Sequence, residues 1–216
     1  MDMPQRRIAA TDHRRARGLG ALLLTALCLT GCLDLPKQST PITFWVLGPV
    51  AEMATGAEQA RSMLVGPVSL PDYLNRAEVM HRAGDHQLTV EHFDHWGDSL
   101  AEQIPRVLSE DLMRLAPGMI AASFPTYGVS NADYQLVVNV LAFEVDADGD
   151  VQLLADWKLN VVGSANVLAH RVARLHEPAG DRSVAEIVAA MSRALGALAR
   201  DVAGALPPAA GGATSP

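Results

Sequence analysis

Two cysteines among 216 residues are too few for a disulfide framework or a four-thiolate zinc site. Positive charge is scarce as well: 17 Lys and Arg stand against 24 Asp and Glu, a formal charge of −7. Without a basic excess to neutralise phosphates, the composition argues against nucleic acid as a partner. No apolar run reaches the ~20 residues that a membrane-spanning helix needs. Nucleotide and hydrolase signatures are missing too: no serine sits in G-x-S-x-G, no P-loop occurs, and no G-x-G-x-x-G follows a strand. Apolar residues are plentiful, at 49% against 19% charged, so the chain can bury an ordinary core and is not globally disordered. Its length fits one domain with appendages.

The first appendage is an address. Arg6, Arg7, Arg14, Arg15 and Arg17 precede the apolar run Leu19–Leu29, the order of a secretory signal. The run ends at Leu29-Thr30-Gly31-Cys32, which looks like a bacterial lipobox. Small residues there admit a peptidase to the bond before Cys32, whose thiol receives a diacylglycerol. The competing reading is a soluble secretory signal that happens to contain a cysteine. Two or more acyl chains on Cys32 give stable membrane attachment where one is marginal, at ~0.8 kcal/mol per buried CH₂. Leu33, not Asp, follows Cys32, which favours export to the outer membrane. Removing residues 1–31 takes away five Arg and two Asp, leaving 12 basic and 22 acidic residues, net −10. Anionic lipid surfaces repel such a chain, so lipid must do the anchoring.

The expected organisation is a signal peptide over 1–31, a lipidated tether over 32–41, one domain over 42–205 and a disordered Pro/Gly/Ala-rich tail over 206–216. Within the domain, Ile42–Leu47 reads as a strand closed by Gly48-Pro49. Met63–Leu70 reads as a second, with Pro67 implying an edge or a bulge. Pro71-Asp72-Tyr73-Leu74 reads as one helical turn, and segments 78–82 and 87–93 flank Gly84-Asp85 as a hairpin. Ser99 and Glu102 form a capping box. The helix it opens carries Leu100, Ile104, Val107, Leu108, Leu112 and Leu115 at helical spacing, with a kink or restart at Pro105. Met119–Phe124 is a further strand. Tyr134–Phe143 is apolar at both parities, which predicts burial on both faces. Strands over 151–161 and 167–176 complete a meander, and Ser183 and Glu186 cap a last helix striped by Val184, Ile187, Val188, Met191, Leu195, Leu198 and Val202. The fold class expected is α/β: a three-layer sandwich with a mixed, largely antiparallel sheet and two main helices, or a two-layer α+β sandwich.

Chemistry is sparse. His92 and His95 lie three apart with His81 and His86 nearby, but they lack cysteine support or an HExxH frame and read as surface histidines of a hairpin. Asp146, Asp148 and Asp150 around Gly149 lack the bidentate glutamate of a calcium loop and read as an acidic turn. No metal, cofactor or catalytic residue is assigned, and Trp96 reads as a core anchor. One segment suggests a partner surface, through Pro67, Val68, Leu70, Pro71, Tyr73 and Leu74, because prolines block ladder pairing and present rigid apolar contacts. Packing of the same segment against the sheet edge is the alternative.

The order of blocks goes further. A lipobox, Phe44-Trp45-Val46-Leu47-Gly48-Pro49, then Val65–Arg76, Trp96-Gly97-Asp98-Ser99-Leu100, Val107–Leu112, Asp133–Leu136, the Trp157 strand and the final helix together resemble the PqiC/YmbA-type lipoproteins. These are auxiliary lipoprotein components of ABC-type or MCE-protein transport systems. The resemblance implies a non-enzymatic lipoprotein on the periplasmic face of the outer membrane, held by diacylglycerol and an N-acyl chain on Cys32. Its implied partners are an MCE-family periplasmic protein and that protein's inner-membrane transporter, in a machine moving phospholipid or another hydrophobic molecule, and it allows a homo-oligomer. The alternative functions are a periplasmic lipoprotein carrier or assembly factor that binds a single lipid, and a hydrolase.

Overall fold

The computed structural model describes residues 40–56, 59–84, 86–125, 131–146 and 149–208, which lie almost wholly within one compact unit over 41–216. The signal segment, Leu29, Thr30, Gly31 and Cys32, the tether to residue 39, Asp148, and the tail beyond 208 lie outside the described residues.

The domain is the expected α/β sandwich, with its strands divided between two sheets. The larger sheet has five strands: β2 (Arg61–Ser69), β5 (Met119–Ser123), β6 (Tyr134–Val145), β7 (Asp150–Val161) and β8 (Val167–Pro178), in the order β5-β2-β6-β7-β8. Its β5-β2-β6 half is parallel and its β6-β7-β8 half is the antiparallel meander. The smaller sheet joins β1 (Thr43–Trp45) in parallel to β4 (Gln87–Trp96), whose hairpin partner is β3 (Glu78–Gly84). Helix α1 (Leu100–Leu115) packs on β2 and β5, and helix α2 (Val184–Ala203) on β6, β7 and β8. The helices also touch each other, so both cover one face of the large sheet.

The expectation of two-sided burial for β6 holds only at its C-terminal end, where Phe143, Glu144 and Val145 are all buried. Along the rest of the strand a bulge accounts for the mixed parity. Leu136, Val138 and Val140 are buried, then Phe143 and Val145, while Leu141 is 44% exposed. Pairing with β7 slips between Val140 and Ala142. The extra residue moves the core parity from even to odd, so the apolar residues at both parities serve one face in succession. On β7, where no slip intervenes, Val151, Leu153, Ala155, Trp157 and Leu159 all bury the same face. Pro67 likewise marks a bulge. Register against β6 shifts between Val65 and Val68, yet β2 is an inner strand, not an edge. Gly66, at φ +127°, takes a conformation there that an L-residue rarely adopts.

Helix α1 runs through Pro105 without interruption. In the helix's second turn the proline removes only its own N–H bond, to the carbonyl four residues back. The apolar stripe Leu100, Ile104, Val107, Leu108 and Leu112 is fully buried, each side chain contributing roughly 1.5–3 kcal/mol. The expected capping box at Ser99 is not made: its side chain accepts no bond, and its main-chain oxygen receives the amides of Glu102 and Gln103. At α2 the cap is present, with Ser183 Oγ accepting from the Glu186 amide at 3.3 Å.

Candidate functional site

The densest buried polar chemistry lies where the chain leaves β1. Residues 47–51 form a strap across the helix pair, with Leu47 and Ala51 buried. A strap without regular secondary structure leaves backbone groups that something must satisfy, and the helices supply the partners from side chains. Gln103 Oε1 accepts from the Leu47 amide at 2.7 Å while its Nε2 donates to the Asp98 carbonyl at 2.7 Å. Asp111 Oδ1 accepts from the Val50 and Ala51 amides at 2.9 and 2.8 Å. On α2, Ser192 Oγ accepts from the Gly48 amide at 3.2 Å. Arg106 donates to the Leu47 carbonyl at 3.0 Å, and Arg114 to the carbonyls of Pro49 and Ala51 at 3.4 Å each.

Asp111 is fully buried, and its Oδ2 has no hydrogen-bond partner among the described residues. Burial pushes its carboxyl above the ordinary carboxylate range, against the opposing pull of the two amides and of Arg114 and Arg200. Gly196 makes room for the strap: a Cβ there would lie 2.5 Å from Val50 Cγ2. Beside the strap, a groove of about 720 Å³ runs along α2, floored by Trp45, Val46, Pro49, Val188 and Ala189 and edged by Arg193.

The segment singled out from sequence as a partner surface is placed as follows. Leu74 is buried, and Val68, Leu70 and Tyr73 pack against the core. Pro71 is half-buried within the turn that caps Asp72–Leu74, and Pro67 stands exposed. The Tyr73 hydroxyl is pushed up to about 12 by burial first and then by the Glu144 carboxylate, which is buried and paired with Arg82. Trp96 is a core residue, as expected. The histidines are spent separately: His81 faces Glu91 at 3.3 Å, and His95 Nε2 lies 3.3 Å from the His92 carbonyl oxygen. In the acidic turn, Asp146 Oδ1 accepts from the amides of Gly149 and Asp150, each at 3.0 Å. Among the described residues, no group of three metal-ligating side chains converges, and no helix is long and apolar enough to cross a membrane.

Sequence reasoning missed the strap's anchors. The signal was present: Gln103 and Asp111 each lie one residue before a core position of α1, Ile104 and Leu112, and polar groups beside an apolar stripe invite the question of what they bond.

Comparison with known proteins agrees with this architecture. Among solved structures, protein XCC0632 from Xanthomonas campestris superposes with a TM-score of 0.62 at 18% identity, covering 75% of this chain and 93% of that one. An uncharacterised protein of known structure superposes with a TM-score of 0.63 at 23% identity, covering 76% and 97%. In sequence, the intermembrane transport lipoprotein PqiC of Escherichia coli strain K12 is 27% identical over 143 residues, 66% of this chain and 72% of that protein, and the PqiC of Shigella flexneri matches equally. The model of the ABC-type transport auxiliary lipoprotein component matches residues 46–203, from the strap to the end of α2, and the chain belongs to that family.

Proposed function

We propose that this protein is an outer-membrane lipoprotein that docks the periplasmic conduit of an MCE-type intermembrane lipid transport system. One observation carries the reading: a lipobox ending at Cys32 stands fourteen residues before the start of the match to transport auxiliary lipoproteins at residue 46. In this reading residues 1–31 are cleaved, and Cys32 bears diacylglycerol and an N-acyl chain. The tether over 32–41 lets the domain reach its partner from the periplasmic face. The protein contributes position, not chemistry, and requires no cofactor beyond its own covalent lipid. Its partners are an MCE-family periplasmic protein and, through it, an inner-membrane transporter.

The alternative, a carrier holding one lipid, calls for a site that shields an acyl chain from water. The groove along α2, about 720 Å³, lies open at the surface, which favours a docking role over enclosure. Affinity purification after mild cross-linking tests the proposal. Recovery of an MCE-domain protein with its permease is expected. Repeated purification with no transporter subunit, or with one tightly held lipid and no partner, would contradict it.

A further inference from the structure

An edge strand in water ordinarily carries charge or proline, to discourage sticking. Strand β1 is the edge of the small sheet, and its segment Ile42-Thr43-Phe44-Trp45-Val46 contains neither. The parallel register sets Phe44 beside His95 and Trp45 beside Trp96. Continued one residue each way, it sets Ile42 beside Phe93 and Val46 beside Gly97, where Val46 Cγ2 lies 3.0 Å from the glycine's Cβ position. Side chains alternate across a strand, so Ile42, Phe44, Val46 and Phe93 share one face. They are 50%, 65%, 54% and 48% exposed, and the Phe44 ring meets His95 edge-on at 6.0 Å. On the opposite side, Trp45 is held by its indole N–H to Asp94 Oδ1 at 2.7 Å, which keeps the ledge rigid.

We infer that this ledge is a membrane-contact surface: Ile42, Phe44, Val46 and Phe93 seat in the interface of the bilayer that holds the lipid anchor, and so fix the domain's orientation. The inference rests on the proposed acylation of Cys32. Ten residue steps separate Cys32 from Ile42, a reach of at most ~35 Å at 3.3–3.6 Å per residue. The apolar ledge is therefore the first folded surface the anchor brings to the lipid. Apolar side chains in an interface gain by burial independently of lipid charge, which suits a mature chain of net −10. The contact is accordingly insensitive to salt, unlike an electrostatic one.

The test needs no native acylation. A chain starting at Leu33 has no cysteine, and the buried apolar residues among those described lie between Leu47 and Val202, so its folding without the anchor is checked first by circular dichroism against the full chain. It carries an amino-terminal decahistidine and is held on phosphatidylethanolamine/phosphatidylglycerol vesicles doped with nickel-chelating lipid. An environment-sensitive fluorophore is placed by Phe44→Cys, and separately by Lys158→Cys on the exposed face of β7. At position 44 the emission shifts to the blue and is quenched by brominated acyl chains, unchanged by salt. At 158 neither occurs, and Val46→Asp with Phe93→Asp abolishes the effect at 44 while circular dichroism stays unchanged. Equal behaviour at the two positions overturns the inference. So does a blue shift at 44 that grows with protein concentration without vesicles, which would make the ledge a contact between copies. Failure of the intact protein to incorporate palmitate would instead sink the acylation reading and leave this result standing.

Discussion

The strap over the helix pair stands or falls with Asp111. Replacing it with alanine strands the Val50 and Ala51 amides that its Oδ1 receives at 2.9 and 2.8 Å, and Ala51 is buried beyond the reach of water. A hydrogen bond to a charged group contributes roughly 1.5–3 kcal/mol. Loss of two, offset by relief of one buried carboxylate, gives a cost of about 3 kcal/mol for Asp111→Ala. In a domain of this size each kcal/mol moves Tm by roughly 2–4 °C, so thermal unfolding followed by circular dichroism should fall by roughly 6–12 °C. Asp111→Asn keeps an oxygen for both amides and replaces the unpartnered Oδ2 with an NH₂, and should stay within ~1 kcal/mol of the parent. The pair of variants also carries a pH signature. Because burial raises the folded-state value of Asp111, the unfolded chain releases this proton first as pH rises. The group's contribution is therefore most favourable below the unfolded carboxyl value and is lost as pH rises through the folded one. The stability of Asp111→Asn relative to the parent should accordingly improve as pH climbs from the acid range towards neutrality. An alanine variant as stable as the parent, or an asparagine variant as damaged as the alanine one, would show that Asp111 does not hold the strap.

Two further outcomes follow from the packing. Gly196→Ala gains about 0.8–1 kcal/mol of helix propensity, yet its methyl meets Val50 Cγ2 at 2.5 Å. Alone it should destabilise in urea titrations, whereas added to Val50→Ala it should stabilise, a sign reversal that a double-mutant cycle reads directly. With Tyr73 pushed up to about 12, the phenol of the unfolded chain ionises first, so stability falls as pH rises from about 10 towards the folded value. Absorbance titration near 295 nm should show a late tyrosine step that disappears in Tyr73→Phe.

Periodicity and punctuation made most elements legible in the sequence. The meander, the β3–β4 hairpin, the Asp72–Leu74 turn and both helices stand where apolar spacing, Gly-Asp and the Ser99 and Ser183 signals put them. What misled was parity. A bulge at Leu141 lets even and odd apolar residues of β6 serve one face, and alternation alone does not distinguish that from burial on both. The Ser99 side chain makes no cap, and the partner of Gln103 at Leu47, 56 residues away, is a contact of which a local motif holds no trace. Strand Ile42–Leu47 was readable, but its exposure depends on being the edge of a second sheet, a matter of topology. The lipobox remains a sequence statement, and Cys32 is tested by chemistry, not by the fold.

The acylation of Cys32 is tested by metabolic labelling of the intact protein with an alkyne-bearing palmitate, followed by separation of inner and outer membranes. Label is expected on the mature chain in the outer-membrane fraction and none on Cys32→Ser, which moves to the soluble fraction with its fold intact. An unlabelled wild-type chain, or a Cys32→Ser chain that stays labelled and membrane-bound, would contradict acylation at Cys32.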